Sequence, residues 1–232
     1  MNPSYLARRQ KLTNYFDQTA ASAWAQLTSL EPVGRIRATV RAGRDEMRAL
    51  LLSWLPADLS GLHLLDAGCG TGALALEAAE RGAQVTAIDV SATLVEVAER
   101  RTPASLSHLI DYRVGDMLHP GPERFDHVVA MDSLIHYRAE DMADAIAALA
   151  ALADSSVVFT FAPRTVALTA MHTVGRMIPH REHRAPFIEP VGVKTLQHRL
   201  LNMPALADWK TGHTQVVSSG FYKSQGLELL RR

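Results

Sequence analysis

The sequence predicts a doubly wound α/β fold: a mostly parallel sheet of seven strands, flanked by helices and preceded by an N-terminal helical arm. Three observations carry this reading. Short apolar strand segments alternate with amphipathic helical segments from Gly61 to Ala162; a glycine-rich turn joins the first strand to the helix after it; and two strand segments around Ser218 to Gly220 close the chain as an antiparallel pair.

Residues 1 to about 60 read as helical, with Met47, Leu50, Leu51 and Trp54 at helical spacing and Pro56 ending the last helix. The alternation then runs HLLDAG, ALALEAAERG, VTAIDV, SATLVEVAERR, IDYRVGD, FDHVVAMD, ADAIAALAALA and SVVFTFA. Such a series implies a parallel sheet covered on both faces. Gly82 marks a helix end and Ser91 is placed as an N-cap. After Pro163 the rhythm breaks into a His-, Arg- and Pro-rich stretch, and Glu189-Pro190 opens a last helix through Asn202. The division expected is an arm or cap over 1–60 and a core over 61–232, with a substrate-side insertion at about 163–190.

At 232 residues the chain is of single-domain size. Its 24 basic and 24 acidic side chains balance, so no overall field draws it to nucleic acid. The single cysteine, Cys69, excludes an intrachain disulfide and fits a reducing cytoplasm. The longest apolar runs are strand-sized, and the N-terminal residues lack a signal-peptide core. A cytoplasmic location is expected, with peripheral membrane contact left open.

The loop from Leu64 to Gly72, LLDAGCGTG, lies where open α/β sheets bind ligands. Its glycines also satisfy a loose dinucleotide fingerprint through Gly68, Gly70 and Ala73, so they do not choose between ligands. Asp66 does. A carboxylate ahead of the loop faces a pyrophosphate poorly, whereas S-adenosylmethionine carries an ammonium and a sulfonium that favour it. Asp89, ending the second strand, is placed to accept both ribose hydroxyls and would serve either cofactor, and Asp116, in VGD, is placed to accept from an adenine amino group.

This D-x-G-x-G-x-G pattern, with acids ending strands two and three, resembles the class I S-adenosylmethionine-dependent methyltransferases over roughly Gly61 to Ala162. Tyr15-Phe16, Trp24, DAGCGTGALAL, the segment MDSLIHY and FTFAPRT further resemble the magnesium protoporphyrin IX O-methyltransferases. That resemblance implies methylation of one propionate of the magnesium porphyrin in (bacterio)chlorophyll synthesis, with S-adenosylhomocysteine as product. It implies Tyr15 and His136 as active-site residues and an N-terminal arm folding over the cofactor. The expected cofactor-binding set is Asp66, Gly68, Gly70, Gly72, Asp89, Asp116, Met117 and Asp132, with no metal ligands. Magnesium chelatase is implied as a source of substrate. The chain departs from the family between Ala25 and Gly34, where AQLTSLEPVG replaces a Trp-Arg-Arg-Ile-Tyr-Gly run.

The fourth strand should deliver Asp132, Ser133, His136 and Tyr137 to the chemistry. A propionate is already ionised at neutral pH, so His136 is cast as a positioning donor to the carboxylate or a group approaching magnesium. A phenol or alcohol acceptor, as in a quinone precursor, would make it the base. A binding protein without catalysis is the reading from another class. Tyr15, Phe16 and Trp24 have the simpler alternative of stapling the arm to the core. Arg164 to Arg184 reads either as a lid offering arginines and apolar residues or as a solvated loop. His180 and His183 make a poor zinc site, and Cys69 is a small residue between glycines rather than a nucleophile.

Overall fold

A computed structural model describes residues 3–17, 24, 28, 34–164 and 188–232. Among these residues, α1 (Pro3–Tyr15) and α2 (Arg35–Ser53) precede the sheet. Then follow β1 (His63–Ala67), α3 (Ala73–Glu80), β2 (Gln84–Asp89), α4 (Ala92–Arg101), β3 (Ile110–Val114), β4 (Phe125–Ala130), α5 (Ala139–Leu152) and β5 (Ala153–Phe161). The chain ends in α6 (Val193–Leu201), β6 (Trp209–Ser219) and β7 (Tyr222–Arg231).

The predicted seven-stranded sheet is present in the order β3-β2-β1-β4-β5-β7-β6, parallel except for β7, which runs antiparallel to both β5 and β6. The order reverses between β1 and β4, so a crevice opens at the carboxyl ends of those strands. Alternate residues feed two apolar layers. Val128 and Phe159 face α5 and α6, while Val129 and Val158 face α2 and α3. Local sequence explains the helix ends: Ser91 caps α4 by accepting from Leu94 N–H at 3.3 Å, and Glu140 and Asp141 sit in the first turn of α5.

Two boundaries differ from the sequence reading. The last helix begins at Val193 rather than at Pro190, because Val191 is drawn into a bridge with Pro163. The strand before the final turn starts at Trp209, four residues ahead of His213. A bulge between Thr211 and Thr214 breaks the alternation by which a strand is recognised. The insertion expected at about 163–190, with its lid alternative and His180 and His183, lies almost entirely outside the described residues.

Gly43 in α2 shows how closely the helix lies on the sheet. A Cβ there would stand 2.5 Å from Tyr222 Cδ1 and 2.9 Å from its Cβ. Gly43→Ala should therefore lower the melting temperature, since overpacking costs about 1–3 kcal/mol and outweighs the gain in helix propensity of about 1 kcal/mol. A thermal melt at or above that of the unmodified chain would show that the contact is looser than this.

Candidate active site

The crevice is a cavity of about 280 Å³. Its floor is the glycine loop, one wall is α2, and the N-terminal arm crosses its open side. The loop turns sharply at Gly68, Gly70 and Gly72, with φ of 87°, 54° and 78°. At Gly68 a Cβ would lie 2.4 Å from Ser133 Cβ, whereas at Gly70 the nearest atom would be Trp24 Nε1 at 3.7 Å. Gly70 thus leaves open space for a ligand close to the backbone.

Asp66 is 1% exposed, and its Oδ2 has no hydrogen-bond partner among the described residues. Burial, reinforced by the nearby charge of Asp89 and opposed by the backbone N–H of Ala75, pushes its pKa up to about 7. Asp89 accepts from Gly70 N–H and Ser91 N–H, both at 2.9 Å, and burial raises its pKa despite those bonds. Two buried carboxylates lining one cavity, Asp66 with an oxygen unpartnered among the described residues and Asp89 held by two backbone N–H groups, suit a cationic ligand with hydroxyl groups. The ammonium, sulfonium and ribose of S-adenosylmethionine meet that description, and an unpaired pyrophosphate does not. Cys69 is buried with its thiol pKa driven up, first by burial and then by the charges of Asp66 and Asp89, so it is no thiolate.

The arm is tied down at several points. Tyr5 donates to Asp116 at 2.8 Å, Arg9 pairs with the same carboxylate, and the Tyr5 ring stacks on Tyr137 at 4.8 Å. Asp17 accepts from Ser91 Oγ at 2.6 Å, and Arg8 pairs with Glu189 at 3.4 Å. Phe16 stands edge-on to Trp24 at 5.8 Å and 6.3 Å from the His136 ring, so aromatic rings bridge the arm and the end of β4.

The family description "Magnesium-protoporphyrin IX methyltransferase C-terminus" matches residues 130–231, and a general methyltransferase domain matches residues 64–155. The magnesium-protoporphyrin O-methyltransferase of Rhodobacter capsulatus is 43% identical over 229 residues, spanning 98% of this chain and 99% of that protein. The chain belongs to the magnesium protoporphyrin IX methyltransferase family. The Synechocystis magnesium-protoporphyrin O-methyltransferase is 29% identical over 94% of both chains. The crystal structure of the Synechocystis PCC 6803 magnesium protoporphyrin IX methyltransferase with bound SAH superposes with a TM-score of 0.83, covering 96% of this chain and 99% of that one at 27% identity.

In this methyltransferase the predicted residues fall into four groups. Asp66, Gly68, Gly70, Asp89, Met117 and His136 all line the cavity. Gly72 lies beneath it, where a Cβ would meet Tyr112 Oη at 2.6 Å, so its role is to let α3 begin. Asp116, beside the cavity, and Asp132, on its lining, are already engaged. Asp116 is held by Tyr5, Arg9 and Leu118 N–H. Asp132, at φ 55°, also lines the cavity; it accepts from Arg44 Nη1 at 2.7 Å, Tyr222 Oη at 3.1 Å, Thr160 Oγ1 at 3.2 Å and Ser224 Oγ at 3.4 Å. Its contacts are those of a brace. Tyr15 is half-buried against Phe16 at 5.2 Å, its hydroxyl pKa raised by burial, and is not among the residues lining the cavity; Tyr5 and Phe16 are.

Sequence reasoning missed Tyr5, Arg9 and Arg44. A signal for the last was present: Arg41, Arg44 and Arg48 recur at helical spacing, and all three line the cavity. Arg44 also lies over the Trp24 ring at 4.7 Å, linking Asp132 to the arm. Arg44→Ala leaves a mostly buried carboxylate without its cation, so a stability loss of about 3 kcal/mol is expected in chemical denaturation. An unchanged midpoint would mean that the three hydroxyl donors hold Asp132 unaided.

Proposed function

We propose that this chain transfers the methyl group of S-adenosylmethionine to a propionate carboxylate of magnesium protoporphyrin IX, giving the monomethyl ester and S-adenosylhomocysteine in chlorophyll or bacteriochlorophyll synthesis. The observation that carries the reading is the end-to-end match to the Rhodobacter capsulatus protein, 43% identical over 98% of this chain. S-adenosylmethionine supplies a methyl group on a positively charged sulfur. A propionate oxygen forms the new bond to the methyl carbon while the carbon–sulfur bond breaks and its electron pair passes to sulfur.

Alignment is the main demand of such a displacement. A propionate, with a pKa of roughly 4 to 5 by analogy with side-chain carboxyls, carries no proton to remove at neutral pH. His136 therefore positions the acceptor at the end of β4, and Phe16 and Trp24 limit water above it. Asp66 and Asp89 hold the cationic and hydroxyl parts of the cofactor. Tyr15 takes part by packing Phe16 into place, and Asp132 by fixing Arg44.

The reaction's pH profile separates this reading from methylation of a phenol in a quinone precursor. With a carboxylate acceptor, kcat should not rise between pH 6 and 8. A rise of about tenfold per unit over any part of that range would assign His136 a proton to remove and favour the phenol reading.

Residues 1–60 are proposed as the arm and cap and residues 61–232 as the cofactor-binding core. No helix among the described residues is long and apolar enough to cross a membrane. A cytoplasmic location with peripheral membrane contact, or direct hand-over from magnesium chelatase, suits an apolar macrocycle that is poorly carried through water. Co-sedimentation with vesicles and with purified chelatase tests both.

A further inference from the structure

Two buried side-chain oxygens lack a hydrogen-bond partner among the described residues, Asp66 Oδ2 and Ser133 Oγ, and both residues line the same cavity. The cofactor's positive charge accounts for the first. Nothing in the methyl transfer described above uses the second. A hydroxyl removed from water without a partner carries a desolvation penalty, so a buried orphan in a ligand cavity points to a group that arrives with the ligand.

Its placement follows from the turn that precedes it. Ser133 follows Asp132, whose left-handed backbone turns the chain at the end of β4 and whose carboxylate is braced from α2, β5 and β7. The turn sets Ser133 against the glycine loop, where a Cβ on Gly68 would come within 3.1 Å of Ser133 Oγ. The neighbouring Asp132 carboxylate is matched by the Arg44 guanidinium at 2.7 Å, so its charge does not bar an anion from Ser133. A hydroxyl donor beside a compensated carboxylate can serve an anionic group.

We propose that Ser133 Oγ–H donates to a carboxylate of a bound ligand. The inference rests on the methyltransferase reading, which supplies two sources of that group: the amino-acid end of the cofactor and the propionate of the acceptor. Binding measurements on Ser133→Ala distinguish them, using S-adenosylhomocysteine, 5′-methylthioadenosine, magnesium protoporphyrin IX and its dimethyl ester as probes. Methylthioadenosine and the diester lack the carboxylate and serve as controls.

A loss of about tenfold or more is expected for one carboxylate probe, with its control unchanged, as for a hydrogen bond to a charged group. Loss confined to S-adenosylhomocysteine assigns the cofactor carboxylate, and loss confined to the porphyrin assigns the propionate. Ser133→Cys, similar in size but a weaker donor, should fall between. Equal losses on a probe and its control, or all four affinities within about threefold of the unmodified chain, would overturn the proposal. Because binding is read without turnover, a chain that formed no ester would still report on Ser133.

Discussion

Asp66→Asn should bind S-adenosylmethionine about ten- to hundredfold more weakly than the unmodified chain at pH 7.5, a loss typical of a hydrogen bond to a charged group. Its affinity should also stop responding to pH. In the ligand-free protein the Asp66 pKa stands at about 7 rather than 3.8, chiefly through burial. A cationic ligand prefers the ionised form, so binding below pH 7 must release that proton. Affinity of the unmodified chain should rise by up to about tenfold per unit as pH increases from 5.5 and level off above 7. The measurement stays below about pH 7.5, because the cofactor's own amino group loses its proton near ~8.

The same raised pKa sets a stability trend of definite sign. Between pH 3.8 and about 7 the folded ligand-free chain keeps a proton that the unfolded chain has released. Stability of the ligand-free protein therefore carries a component that is lost as pH rises through that window, and Asp66→Asn should remove it. Equal pH slopes in both proteins, for binding and for unfolding, would mean that Asp66 is ionised throughout.

The second large effect belongs to His136. His136→Ala should lower kcat by about a hundredfold, since a small displacement of an acceptor from near-attack geometry has that scale of effect, while S-adenosylhomocysteine affinity stays within about threefold. Asp89→Ala should behave in the opposite way, losing cofactor affinity first, because its carboxylate is fixed by Gly70 and Ser91 at the loop. If His136→Ala abolished cofactor binding while the bound complex turned over normally, the imidazole would belong to the cofactor's side of the cavity.

What could be foreseen from the sequence was what is written in adjacent residues. The Asp66 to Gly72 turn, the acid ending β2 and the placement of His136 beyond β4 each follow from a local pattern and the rule that ligands sit at the switch point. The Asp132 brace was not foreseeable in the same way. It gathers α2, β4, β5 and β7 around one carboxylate, and no spacing along the chain records that convergence. Asp116 is the complementary case: it lies just beyond β3, and its carboxylate is held by Tyr5 and Arg9, more than a hundred residues earlier, partners that no local pattern announces. A role for Tyr15 rests on resemblance alone; its ring stands edge-on to Phe16, which lines the cavity where Tyr15 does not.

The methyl acceptor proposed for this chain is an ionised propionate of a magnesium porphyrin. Purified protein incubated with S-adenosylmethionine and magnesium protoporphyrin IX should yield the monomethyl ester on chromatography, with one S-adenosylhomocysteine formed per ester. Absence of that ester from protein that still binds the cofactor would rule that acceptor out.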